Sequence, residues 1–283
     1  MKKENLQSEL VHILQHESKW VKVHAAEFLL WEGLNRDLVY DIYKKIEEPI
    51  YESEPPYRIG VWRVLYQSAL SDTEREEYAQ KIVKAFDQKV DTLHIIETLA
   101  KLKIPFTDYN GEFKKAILDS DKIDPYFLYG VWNLYADATV DKNELFERLY
   151  NVLVDSSAED NLKVVVSYVF RYVPLEDQQW NKLTQSIPLV SSVSVQKYLL
   201  ISLLQRSKSV DTRYKAWRAQ LVDLCKEMGD HALIMSALSN HKDDYNASQL
   251  ITSYTLLSDT SNENYNADLH ATAAYSMLKY LNH

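Results

Sequence analysis

Two short patterns carry residue types that can do chemistry. His24 and Glu27 lie three residues apart, and so do His94 and Glu97. On an α-helix that spacing puts both side chains on one face. An imidazole beside a carboxylate can ligate a metal ion or move a proton. A di-metal helix bundle uses Glu-x-x-His, the opposite order, with further glutamates from other helices. Neighbouring helices pack about 8–10 Å apart, so equivalent helices two hairpins apart stand roughly 20 Å apart. Metal–ligand bonds are only about 2.0–2.2 Å long. His24 and His94 therefore cannot share one ion. Each pair is either a local site or a hydrogen-bonding contact between packed helices. No metal and no cofactor is expected, and no catalytic residue is nominated.

Arg58 and Arg63 flank the segment Ile59-Gly60-Val61-Trp62. If Glu27 and Arg58 lie on neighbouring helices, their pair beside His24, Trp31 and Trp62 would make a polar pocket with aromatic walls. A plain internal ion pair is the other reading. Gly60 and Gly130 sit in helical patterns, where each costs about 1 kcal/mol relative to Ala. Close approach of a neighbouring helix would offset that cost, and room for a ligand is the alternative. The chain has 20 Tyr and 6 Trp. Such side chains are enriched where one end is dry and the other wet. Tyr126, Phe127, Tyr129, Trp132 and Tyr135 cover more of one helix than a core face needs.

The elements that must position these residues are helices. Apolar residues recur at helical spacing almost throughout, as in Leu6, Leu10, Ile13 and Leu14, or Leu93, Ile96, Leu99 and Ala100. The pattern predicts helices over 4–16, 19–33, 36–47, 55–70, 72–88, 90–102, 111–119, 124–138, 142–154, 158–173, 176–186, 192–206, 210–227, 230–240, 244–257 and 265–281. Ser71 and Glu74 have the spacing of a capping box. Pro125 sits where a first helical turn tolerates a missing N–H. Cys225 reads as a small packed residue within a helix.

An internal repeat organises the helices. Val23-His24-Ala25-Ala26-Glu27-Phe28-Leu29 resembles Leu93-His94-Ile95-Ile96-Glu97-Thr98-Leu99. Ile59-Gly60-Val61-Trp62 resembles Tyr129-Gly130-Val131-Trp132 at the same offset. A period of about 70 residues holds two helical hairpins, and about eight hairpins fill residues 1–283 as one domain. On these segments the chain resembles the HEAT-like repeat superfamily of α-solenoids. The resemblance implies an all-α, right-handed superhelix. It implies scaffolds and binding surfaces more often than enzymes. The regular Pro of the first HEAT helix and the Asp and Arg of its turn do not recur. Tetratricopeptide repeats share the period of about 34 residues but not its Trp, Leu-Gly and Tyr positions.

Composition bounds the function. Five Gly and seven Pro in 283 residues are too few for a sheet-rich fold. The net charge is −9, without a basic cluster, which argues against nucleic acid and against a HEAT-like repair glycosylase. A single cysteine excludes an internal disulfide. No apolar stretch suggests a signal peptide or a membrane span, so a cytoplasmic protein is expected. The expected function is non-catalytic protein or peptide binding on a concave aromatic surface, with His24, Glu27, Trp31, Arg58, Trp62, His94, Glu97 and Trp132 as candidate contacts. The alternative is a helical enzyme or small-ligand protein, in its specific form carbohydrate-related, with a pocket at His24, Glu27, Arg58 and Trp62.

Overall fold

A computed structural model describes residues 2–54, 57–89, 91–207 and 212–282. Among them every regular element is helical and no strand occurs. The chain divides into two compact units. The terminal unit joins residues 1–42 to 200–283, and the middle unit spans 43–199.

In the terminal unit lie α1 (Lys3–His16), α2 (Lys19–Trp31) and α3 (Arg36–Ile42). The middle unit opens with a π-helical turn, Tyr43–Glu47, then α4 (Glu48–Tyr51), α5 (Tyr57–Ser68), α6 (Asp72–Asp87), α7 (Thr92–Lys101) and α8 (Phe113–Leu118). It continues with α9 (Pro125–Leu134), α10 (Lys142–Val154), α11 (Asp160–Phe170) and α12 (Asp177–Gln185). After α13 (Val193–Arg206), the terminal unit resumes with α14 (Tyr214–Leu224), α15 (Asp230–Leu238), α16 (Asp244–Leu257) and α17 (Ala267–Asn282). The expected boundaries mostly hold within a turn. The expected helix starts at 55, 90 and 210 lie outside the described residues. The expected helix over 36–47 is instead α3 followed by the π turn, and helical structure continues past its expected end as α4. That turn ends on Glu47 and is followed directly by Glu48, and both glutamates are buried. Cys225 lies at the C-cap of α14 rather than inside it, and it is buried.

In the terminal unit, α1 and α2 pack together, and both pack on α17. The stripe Leu6, Leu10, Ile13 and Leu14 is buried, as are Ala271, Ala273, Ala274 and Met277 on α17. Small side chains let helices approach closely, which suits α17 between several neighbours. The two ends of the chain thus share one core.

In the middle unit, α5 packs on α7, α7 on α9 and α9 on α11. The helices between them cover the same row from outside that series: α6 touches α5 and α7, α8 touches α9, and α10 touches α9 and α11. Caps explain the local starts. Ser71 accepts a bond from the Glu74 N–H at 3.1 Å. Glu74 reaches back to the N–H of Leu70 rather than that of Ser71. Asp124 caps α9 by accepting from Phe127 N–H, with Pro125 at the first position. Gly130 is a contact point with α8. A Cβ there would lie 2.4 Å from Ile117 Cδ1, which is the close helix approach expected of it.

The turns after α2 and α7 share one hydrogen-bond plan. Gly33 N–H donates to Leu30 C=O and Leu34 N–H to Leu29 C=O. Lys103 N–H donates to Ala100 C=O and Ile104 N–H to Leu99 C=O. Both are Schellman-type endings, which need a left-handed residue after the helix. Asn133 fixes the chain beyond the second turn. Its amide donates to Ile104 C=O at 2.8 Å and accepts from Phe106 N–H at 2.9 Å, fully buried.

Candidate functional site

His24, Glu27 and Trp31 all sit on α2, in the terminal unit. Trp20, His24, Phe28 and Trp31 follow at helical spacing, so they run along one side of α2. Ring centroids step 6.5 Å from Trp20 to His24, 6.4 Å to Phe28 and 5.6 Å to Trp31. Tyr275 of α17 joins the row, stacked on Phe28 at 4.5 Å and edge-on to Trp31 at 5.8 Å. Trp31 remains 52% exposed. His24 Nδ1 donates to the Asp268 carboxylate of α17 at 2.7 Å. A carboxylate only accepts, so the neutral imidazole keeps its lone pair on Nε2. Glu27 is different: it is 4% exposed and turned into the core.

The other candidates lie in the middle unit. Trp62 is 6% exposed, and among the described residues its indole N–H has no acceptor. The Arg58 guanidinium lies 5.4 Å from its ring, and Lys81 lies 5.9 Å from it. Arg58 donates through Nη2 to Gln88 at 2.9 Å, while its buried Nε has no acceptor among the described residues. Both orphaned atoms can only donate. A buried donor left unpaired costs about 1–3 kcal/mol.

His94 and Glu97 go separate ways. His94 Nδ1 donates to Asp91 at 2.6 Å, and Glu97 pairs with Lys101 at 2.9 Å. The His24 imidazole and the His94 imidazole are thus both held by an aspartate, from a distant helix in one case and from the preceding cap in the other. Trp132 is 5% exposed. It meets Tyr129 at 6.2 Å, Tyr168 at 5.9 Å and Tyr172 at 5.3 Å. Burial and the nearby Glu97 charge push the Tyr129 hydroxyl well above its ordinary range. Burial, Tyr172 and Glu97 do the same to Tyr168. The structure therefore gathers Glu97 of α7 and Trp132 of α9 around Tyr129 of α9 and Tyr168 of α11.

Two polar clusters escaped the sequence reading. In the middle unit, Glu48 accepts from Lys81 at 2.5 Å and from Tyr78 at 3.0 Å, with Lys44 at 3.2 Å. Burial pushes the Glu48 carboxyl up, but these cationic and hydroxyl partners outweigh it and hold it below the usual range. In the terminal unit, Glu9 accepts from Tyr254 at 2.6 Å and from His270 at 3.2 Å. The Tyr265 hydroxyl lies 3.0 Å from the other His270 nitrogen. Burial raises Glu9, and its bonds to His270 and Tyr254 outweigh that, so it too sits low. Glu9 and His270 are on the first and last helices. No spacing rule reaches across such a separation.

No protein-family model, curated protein or solved structure matches the chain. Among the described residues no helix is long and apolar enough to cross a membrane. Among them no three His, Cys, Asp or Glu side chains are gathered to hold a metal ion.

Proposed function

We propose that the chain is a non-catalytic binding module built of HEAT-like helical hairpins, which takes a protein or peptide segment on an aromatic face. The row on α2 and α17 carries the proposal. An indole half open to solvent, fixed by Phe28 and Tyr275 beneath it, supplies contact area that is already ordered. Rigid aromatic side chains of this kind dominate binding energy at protein interfaces. His24 and Asp268 add a polar edge to the row. The hairpin reading draws on the row α5, α7, α9, α11 and on the matched turns after α2 and α7.

Panning a library of linear peptides against the full chain tests this. Selected peptides should bind the unaltered chain and lose at least tenfold in affinity on Trp31→Ala or Tyr275→Ala. Trp31→Ala should leave the melting temperature within a few degrees, since half of that ring is already in water. Peptides that ignore both substitutions would defeat the assignment.

A second reading has a specific observation behind it. The unpaired donors of Trp62 and Arg58 suit an oxygen acceptor on a small ligand such as a sugar. Glycan-array binding that is lost on Arg58→Ala and retained on Trp31→Ala would favour that reading over the first.

A further inference from the structure

The face of α1 opposite its core stripe carries a pattern absent from the candidate set. His12 and His16 are four residues apart on α1. Their rings stack with centroids 4.1 Å apart and planes 29° from parallel, so chelation of one ion requires the exposed His12 ring to turn until the two in-plane lone pairs meet. Both are exposed to solvent on the wall of a cavity of about 300 Å³. Glu9, Glu17, Tyr265 and His270 line the same cavity. We propose that His12 and His16 chelate one borderline divalent transition ion such as Zn²⁺ or Ni²⁺, with water in the remaining positions.

Four observations carry it. Imidazoles at i and i+4 on one helical face are the spacing with which two histidines reach a single ion. His16 Nδ1 donates to the backbone carbonyl of His12 at 2.8 Å. A carbonyl only accepts, so the neutral ring keeps its lone pair on Nε2. A ligating histidine ordinarily donates its other N–H in this way, which fixes ring orientation and tautomer. The third observation is the wall around the pair. Glu9 is held in place by His270 and Tyr254 through one oxygen, and Glu17 lines the same space. Negative charge beside the ion favours it, and carboxylate oxygens accept from water bound to a metal. Lastly, the cavity leaves room for those waters. Two imidazoles without a third gathered side chain select nitrogen-loving ions over Mg²⁺ or Ca²⁺, which demand oxygen cages.

The test uses the full chain, stripped with a chelator and titrated calorimetrically with NiCl₂, ZnCl₂ and MgCl₂. One Ni²⁺ per chain should bind, at least a hundredfold more tightly than Mg²⁺. His12→Ala and His16→Ala should each weaken Ni²⁺ binding at least tenfold. Both side chains are exposed, so both variants should melt near the unaltered temperature. His24→Ala should bind Ni²⁺ as the unaltered chain does. The proposal is overturned if Ni²⁺ does not saturate at one ion per chain, if Mg²⁺ competes on equal terms, or if the His12 and His16 variants bind unchanged.

Discussion

Gly33 and Lys103 occupy the same place in two equivalent turns, seventy residues apart in sequence, and share a left-handed backbone. Their φ angles are +68° and +57°. Glycine adopts this conformation without strain, whereas a side chain there crowds the carbonyl oxygen. The two turns share their hydrogen bonds, but only Gly33 has the residue type that suits the conformation.

Lys103→Gly should therefore stabilise the protein by about 0.5–1 kcal/mol, the strain relieved exceeding the entropy glycine adds to the unfolded chain. Gly33→Lys should destabilise it by about 1 kcal/mol. Urea unfolding of both variants measures this. Equal and opposite signs to those stated would show that the turns are not equivalent.

At Gly130 the effect is steric. A methyl there would meet Ile117, whose Cδ1 lies 2.4 Å and Cγ1 2.9 Å from the added carbon. Ile117 is buried, so it has little room to yield. Overpacking costs about 1–3 kcal/mol, against a helix gain for Ala over Gly of about 1 kcal/mol. Gly130→Ala should lower stability by about 1 kcal/mol net. In an Ile117→Val background, which removes Cδ1, the same substitution should cost less. A double-mutant cycle without such coupling contradicts the contact.

Glu48 ties acid stability to the segment after the π turn. Its carboxyl is held below the ordinary value of 4.5 by Lys81, Lys44 and Tyr78. A depressed carboxylate contributes stability that is fully present above its unfolded value. That stability is lost as pH falls through the folded one. Glu48→Gln should lower stability at pH 7 and flatten the fall in stability as pH drops below about 4.5. Chemical denaturation across that range reads the slope. An unchanged acid limb would separate Glu48 from it.

Trp62 divides into a ring and a polar atom with different jobs. The ring is buried, so Trp62→Ala should cost about 3–5 kcal/mol. Trp62→Phe removes the unpaired indole N–H and keeps most of the apolar contact, so it should cost much less. A thermal melt compares them. If Phe is as damaging as Ala, the N–H has a protein partner in solution and the small-ligand reading of this position falls.

The sequence by itself determined the helices and much of their caps. Helical periodicity and the caps at Ser71 and Asp124 act over four residues or fewer, so they are written locally. Tertiary structure decided which side chains face water. Periodicity gave Glu27, Trp31 and Trp62 similar prospects as contacts, yet Glu27 and Trp62 are buried and Trp31 is open. Which face of a helix is covered depends on its neighbours, and one neighbour of α2 is α17, more than two hundred residues away along the chain. The bond from His270 to Glu9 and the bond from His24 to Asp268 exist only because the last helix packs beside the first two. Local preference constrains backbone angles within a few residues. Contacts between chain ends arise from burying apolar surface in a shared core, a condition on the whole fold that no spacing rule encodes.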